Sequence, residues 1–155
     1  MLKLVEFNKN LDLQSFYEDC NKRGLVNNNS QDRIYDSFKR YDKSQTWILF
    51  KDDNPIGSVV AHSFEDYKPN SYRILARTCV LSDKSPLKFI RTIKNLKEHQ
   101  HIMGRYYVPK CIEFCGIDSE IYMTTHPENT GTMKAVHKIL MKVWGIFFLD
   151  ISWTL

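Results

Sequence analysis

The stretch 73–89, RILARTCVLSDKSPLKF, runs from an apolar segment into a polar turn and then into Pro86 and a second apolar-periodic segment. The first backbone N–H groups of a helix have no partner inside it, and the helix dipole adds positive potential there, so such a turn can hold an anion. Ser82, Asp83, Lys84 and Ser85 would form that cradle. The same residues also suit a plain capped connection, with Ser85 as N-cap and Pro86 as first helical residue. The residue types alone leave both readings open.

Other side chains have the chemistry of a site without a telling spacing. Glu65, Asp66, Glu120, His62 and His126 fall at expected strand ends, where a proton acceptor can face a cleft; taken singly, each reads first as a surface residue. Cys79 ends a strand, but a nucleophilic thiol needs a depressed pKa and a histidine close by, and the sequence offers neither, so it reads as a small core residue, as does Cys20. Strict alternation would put Arg73 and Arg77 on one strand face, to bind an acidic acceptor or to form ion pairs beside the sheet. Cys111 and Cys115, with His99 and His101 upstream, can be drawn as a zinc site, yet helical C-x-x-x-C is not a zinc-knuckle spacing and no second ligand pair follows, so no metal is expected. Trp47, Tyr106 and Tyr107 suit a pocket wall or a core, with the core preferred.

These residues must be placed by a fold of 155 residues, a length that suits one domain with one core spanning 1–155. The chain is 43% hydrophobic and 26% charged, ordinary for a globular protein, with 13% aromatics to fill a core. Its net charge is +4 with Lys and Arg spread along the chain, so nucleic acid is not the expected partner; the local density from Lys84 to Lys97 reads as a solvated helix face. No apolar run is long enough to span a bilayer and the N-terminus, MLKLVEFNKN, lacks a signal core. The expectation is a cytoplasmic protein without disulfides or membrane partner.

The periodicities predict a strand at 2–7, a helix over 12–24 stopped by Gly24, and a helix capped by Ser30 with Ile34, Tyr35, Phe38 and Tyr41 as its apolar stripe. Strands follow at 46–51 and 56–64, hinged at Asp-Asp-Asn-Pro, then a third at 73–81. A helix from Pro86 should end before Gly104, with Pro109 forbidding its continuation, and a short helix should close at Gly116. A strand at 120–125, a turn HPENTG capped at Thr132, a helix 133–144 and a last strand 146–155 complete the chain. The strand at 73–81 should have a parallel neighbour across a crossover helix.

This order of elements resembles the GCN5-related N-acetyltransferase (GNAT) superfamily over nearly the whole chain, as a divergent member. The resemblance implies an α/β (α+β) fold, a mixed, mostly antiparallel sheet flanked by helices. It also implies acetyl-CoA as cosubstrate and transfer of its acetyl group to the amine of a small molecule or peptide. RTCVLSDKSPLKFI looks like the family's fourth strand and CoA loop: Cys79, Val80 and Leu81 would meet the pantetheine arm, and Ser82, Lys84 and Ser85, with Asp83, the pyrophosphate. YMTTHPENTGTMKAV looks like the next strand, loop and helix, where Asn129 matches a residue that touches the arm. Two features depart from the family: the loop 83–88 has no glycine, and the tyrosine usual in the last helix is absent, His137 standing in MKAVHKILMK instead. A non-catalytic binding module on the same fold is the alternative. The transferase reading requires the strand that stops at Leu81 to splay from the one ending near Thr125, leaving a slot for the arm.

Overall fold

The computed structural model describes residues 1–22, 31–80, 101–116, 118–124 and 151–152. Strand β1 (Leu2–Glu6) leads to helices α1 (Gln14–Lys22) and α2 (Gln31–Arg40), then to β2 (Ser44–Lys51), β3 (Asn54–Ser63) and β4 (Ser71–Val80). A π-helical turn (Met103–Tyr107) runs into α3 (Val108–Cys115), followed by β5 (Glu120–Thr124) and β6 (Ile151–Ser152). The strands form one sheet in the order β1-β2-β3-β4-β5-β6. The pairs from β1 to β4 are antiparallel, and β4–β5 and β5–β6 are parallel. The mixed, mostly antiparallel sheet is thus present, with the parallel neighbour where it was expected.

Alternation along β2 explains the layering. Trp47 and Leu49 point to one face, where they join Val59, Ala61, Ile74, Tyr107, Val108, Cys111 and Met123 beneath α3. Ile48 points to the other, where it meets Phe7, Leu13, Phe16, Tyr17, Cys20 and Ile34 from β1, α1 and α2. A period of two thus serves two cores at once. The β2–β3 turn is tighter than expected: only Asp52 (φ +49°) and Asp53 (φ +69°) lie between the strands, while Asn54 and Pro55 belong to β3. Two consecutive positive φ values match the twist of a two-residue hairpin, which Asp tolerates better than most residues.

Two expectations need correcting. Of the apolar stripe expected on α2 only Ile34 is buried; Tyr35 and Phe38 stay 40% and 39% exposed, leaning on Phe7 at its edge. The helix expected to stop before Gly104 continues. Residues 101–115 are helical throughout, and Pro109 is accommodated because the Val108 N–H bonds the Met103 carbonyl, one residue further back than in an α-helix. The wider turn gives room to the proline ring, which in an unbroken α-helix meets the carbonyl four residues back. Alternation does not run unbroken through β4, and of Arg73 and Arg77, expected on one face, the Arg77 side chain lies outside the described residues. The stop at Gly24, the cap at Ser30, the helix from Pro86 and the elements at 125–150 lie outside the described residues.

Candidate functional site

The break in β4 shapes the site. His62 pairs with Arg73 and Val60 with Ala76, so the single residue Ala61 on β3 stands opposite both Ile74 and Leu75. Ser58 pairs with Cys79, so a second extra residue falls at 77–78. Leu75 takes a left-handed φ of +56°. Ile74 and Leu75 both enter the core under α3, as expected when a bulge puts neighbouring side chains on one side. The Leu75 backbone hydrogen-bonds the Cys111 sulfur, which anchors the bulge to α3.

Bulges bend a strand and increase its twist. Here that separates β4 from β5. The two pair at Ser71↔Glu120, Tyr72↔Ile121 and Arg73↔Tyr122, and among the described residues their pairing ends there. Beyond that rung β4 stays bonded to β3 as far as Val80, while Met123 and Thr124 of β5 pair with β6 on their other edge. The edge of β4 from Ile74 to Val80 that faces β5 is thus left without a β5 partner. Thr78 Oγ1, on that stretch, is buried without a hydrogen-bond partner. An extended chain with amide groups, such as a pantetheine arm, can bond to such an edge as an added strand does, so these residues fit the group.

The two faces at the mouth of the slot differ. Beneath α3 all is apolar: Ile74, Leu75, Tyr107, Cys111 and Met123 are buried. The other face carries a row across four strands, because Ser44 pairs with His62, His62 with Arg73 and Arg73 with Tyr122. His62 is 2% exposed. Tyr41, just past α2, stacks on its ring at 3.7 Å and 14°. His62 Nδ1 lies 2.8 Å from the Ser63 carbonyl, which can only accept, so Nδ1 donates and Nε2 is the accepting nitrogen of the neutral ring.

The other residues singled out from the sequence disperse. Glu65 and Asp66 are exposed in the β3–β4 turn, at the closed end of the slot. Glu120 is exposed at the same end, held by Lys68 at 2.7 Å and by the Tyr122 hydroxyl at 2.7 Å. Those hydrogen bonds, Lys68 first, keep its carboxyl below the ordinary range, the wrong direction for a proton acceptor near neutrality. Trp47 and Tyr107 are core residues. Cys111 and Cys115 are buried thiols, and no group of metal-ligating residues occurs among the described residues. Cys79 is placed by its backbone pairing with Ser58 alone, whereas Val80 pairs with Gly57 and packs, half-buried, against the core under α3. Leu81, Ser82, Asp83, Lys84, Ser85, His99, His126, Asn129, Thr132 and His137 lie outside the described residues. The bulge was missed because Ile74 and Leu75 each read as an ordinary strand residue. Its only sequence trace is that Ile-Leu-Ala breaks the alternation begun at Tyr72.

No protein-family model and no curated protein sequence matches the chain. Solved structures do. The chain superposes on AAC(6')-Iy, determined with the bisubstrate analog CoA-S-monomethyl-acetylneamine, with a TM-score of 0.61 and 17% identity, covering 100% of this chain and 95% of that one. It also matches an aminoglycoside acetyltransferase from an uncultured soil metagenomic sample, in complex with trehalose, at a TM-score of 0.49 and 12% identity, over 99% and 96% of the two chains. The first likeness shows a common fold.

Proposed function

We propose that this chain, which has a divergent GNAT-like acetyltransferase fold, binds acetyl-CoA in the slot between β4 and β5 and transfers the acetyl group to an amine. The observation that carries the reading is the end of β4–β5 pairing at Arg73↔Tyr122, with the Leu75 bulge just beyond it. Acyl transfer asks little covalent chemistry of a protein. The thioester must be held in line with a neutral amine, and a proton must be moved. The open β4 edge supplies the first requirement. Cys79, Val80 and Leu81 would bond the arm, Ser82, Lys84 and Ser85 would take the phosphates at the turn, and Asn129 would approach from the loop after β5. The net charge of +4 favours a polyanionic cosubstrate.

The fold neighbour determined in complex with a CoA bisubstrate analog supports CoA as the cosubstrate class. The glycine-free loop at 83–88 is the feature that favours the second reading, a binding module without catalysis. Differential scanning fluorimetry separates them. A ligand at 100 times its Kd stabilises the folded state by about 2.7 kcal/mol, and in a chain of this size that raises Tm by roughly 5–10 °C. Acetyl-CoA should produce such a shift and release thiol in the presence of a suitable amine. A flat melting curve at millimolar acetyl-CoA refutes the transferase, and a shift without thiol release from any amine leaves the binding module.

A further inference from the structure

Thr78 is half-buried, and its Oγ1 is buried without a hydrogen-bond partner. Ser44, Thr46 and Trp47 also carry buried polar atoms without one, but all three stand on β2, inside the sheet and away from the slot. Thr78 stands beyond the rung Arg73↔Tyr122, on the stretch of β4 that β5 leaves open. Leaving a buried hydroxyl unpaired costs stability, and valine has the same shape and suits a strand as well without that cost. An unpaired hydroxyl on an open strand edge therefore points to a group that bonds to it there.

The backbone around Thr78 is irregular in a way that matters. Ala76 pairs with Val60 and Cys79 with Ser58, so Arg77 and Thr78 together stand opposite Val59. An extra residue of this kind re-aims the side chains beside it. The length of the cosubstrate then says which of its atoms lies here. From its phosphate oxygen to its sulfur the pantetheine arm is a chain of about twelve bonds, and a strand advances one residue per three backbone bonds. Extended along a strand, the arm therefore spans about four residues, or roughly 13 Å. Counted back along β4 from the phosphate turn that begins at Ser82, that length brings the sulfur beside Thr78. Residues 74–77 then remain before the closing rung, alongside which the acetyl group and the incoming amine can lie.

We propose that the Thr78 hydroxyl is a catalytic group of this chain, donating a hydrogen bond to the sulfur of bound CoA and holding the negative charge that gathers there as the thioester breaks. The proposal rests on the transferase reading above. In the reaction the amine nitrogen bonds to the thioester carbonyl carbon, the C–S bond breaks, and its electron pair stays on sulfur. The Thr78 O–H stabilises that thiolate without giving up its own proton. The proton released by the amine then neutralises the sulfur, leaving an amide and the free thiol of CoA. A hydroxyl suits this task because it needs no titrating partner, and because a donor fixed in advance at the place where charge develops requires no reorganisation during the step.

The test uses the full chain with free CoA and acetyl-CoA, and two variants: T78V, which keeps the shape of the side chain, and T78S, which keeps its hydroxyl. The thiol of bound CoA, followed by NMR of a carbon-13 label on the carbon beside sulfur, should ionise about one to two pH units lower in wild type than in T78V, the scale of a hydrogen bond to a charged group. T78S should titrate with wild type. This measurement needs no acceptor, so it decides the matter whatever amine the chain takes. In turnover, T78V should lower kcat roughly 10- to 100-fold with KM for acetyl-CoA little changed, because the bond tightens only as charge develops. Without ligand, T78V should melt no lower than wild type, since it loses only an unpaired hydroxyl. An identical thiol titration in wild type and T78V overturns the proposal, as does undiminished kcat in T78V or a loss in T78S equal to that in T78V. A T78V that melts well below wild type overturns it too, since the hydroxyl would then be bonded within the fold. If wild type gives no melting shift with CoA, the transferase reading falls and this inference with it; if CoA binds and only the Thr78 results fail, this inference alone is lost.

Discussion

Cys111 is fully buried beneath the sheet, its sulfur bonded to the Leu75 backbone. Burial disfavours the thiolate, and the Leu75 contact offsets this only in part, so the thiol is pushed up from 9.0 to about 12. Cys115, one turn on, is pushed up to about 12 as well, by burial and by its neighbour. Neither is a nucleophile or a ready metal ligand near neutral pH. The pair that looked like half a metal site serves instead to pack α3 under the bulge. The consequence for pH follows from linkage. In the unfolded chain these thiols lose their protons near 9, whereas the folded chain keeps them until about 12. Between those values the unfolded state binds fewer protons, so stability falls as pH rises. Urea unfolding at pH 7, 9 and 10.5 should show a declining midpoint above 9, and C111A should lessen the decline. Equal slopes in the variant and the wild type would show that Cys111 titrates alike in both states.

Among the elements, α3 shows what could be read beforehand and what could not. Its end was legible, because Gly116 follows the last apolar residue of a periodic run. The structure gives Gly116 φ +87° and ψ 149°, a region nearly reserved for glycine, with its N–H bonded to the Ile112 carbonyl at 2.9 Å. A Cβ built there meets nothing closer than Ser119 Oγ at 3.8 Å, so only the backbone objects to a side chain. G116A should therefore cost about 1–3 kcal/mol, read as a lower urea midpoint with an unchanged m-value. A variant as stable as wild type would mean that the chain leaves α3 by another route. The start of α3 was not legible: Pro109 correctly signals that an α-helix is interrupted, but not that a π turn absorbs the interruption. The same limit applies to β4. Hydrophobic pattern predicts a strand at 73–81, yet whether Ile74 and Leu75 face one residue or two depends on β3 and α3, which local pattern does not contain.

Across the whole molecule, the slot is a property of the sheet rather than of any residue beside it. The order of elements was legible because each run of apolar residues has the period of its own element, and that order implied a parallel β4–β5 pair. What divides that pair is one residue too many. Without the bulge, β4 would stay in step with β3, and the next rungs with β5 would be Ile74 with Met123 and then residue 75 with Thr124, an extension of the existing register. Deleting Leu75 tests this directly, since it returns one residue opposite Ala61 where there are now two. The deletion removes a buried side chain and the hydrogen bond to Cys111, so the variant should melt below wild type while keeping the circular dichroism of the mixed sheet. Folded in this way, it should give no melting shift with acetyl-CoA at concentrations that stabilise wild type, because the β4 edge would be taken by β5. A full ligand-induced shift in the folded deletion variant would mean that CoA is held elsewhere, and that parting these strands is incidental to the chemistry.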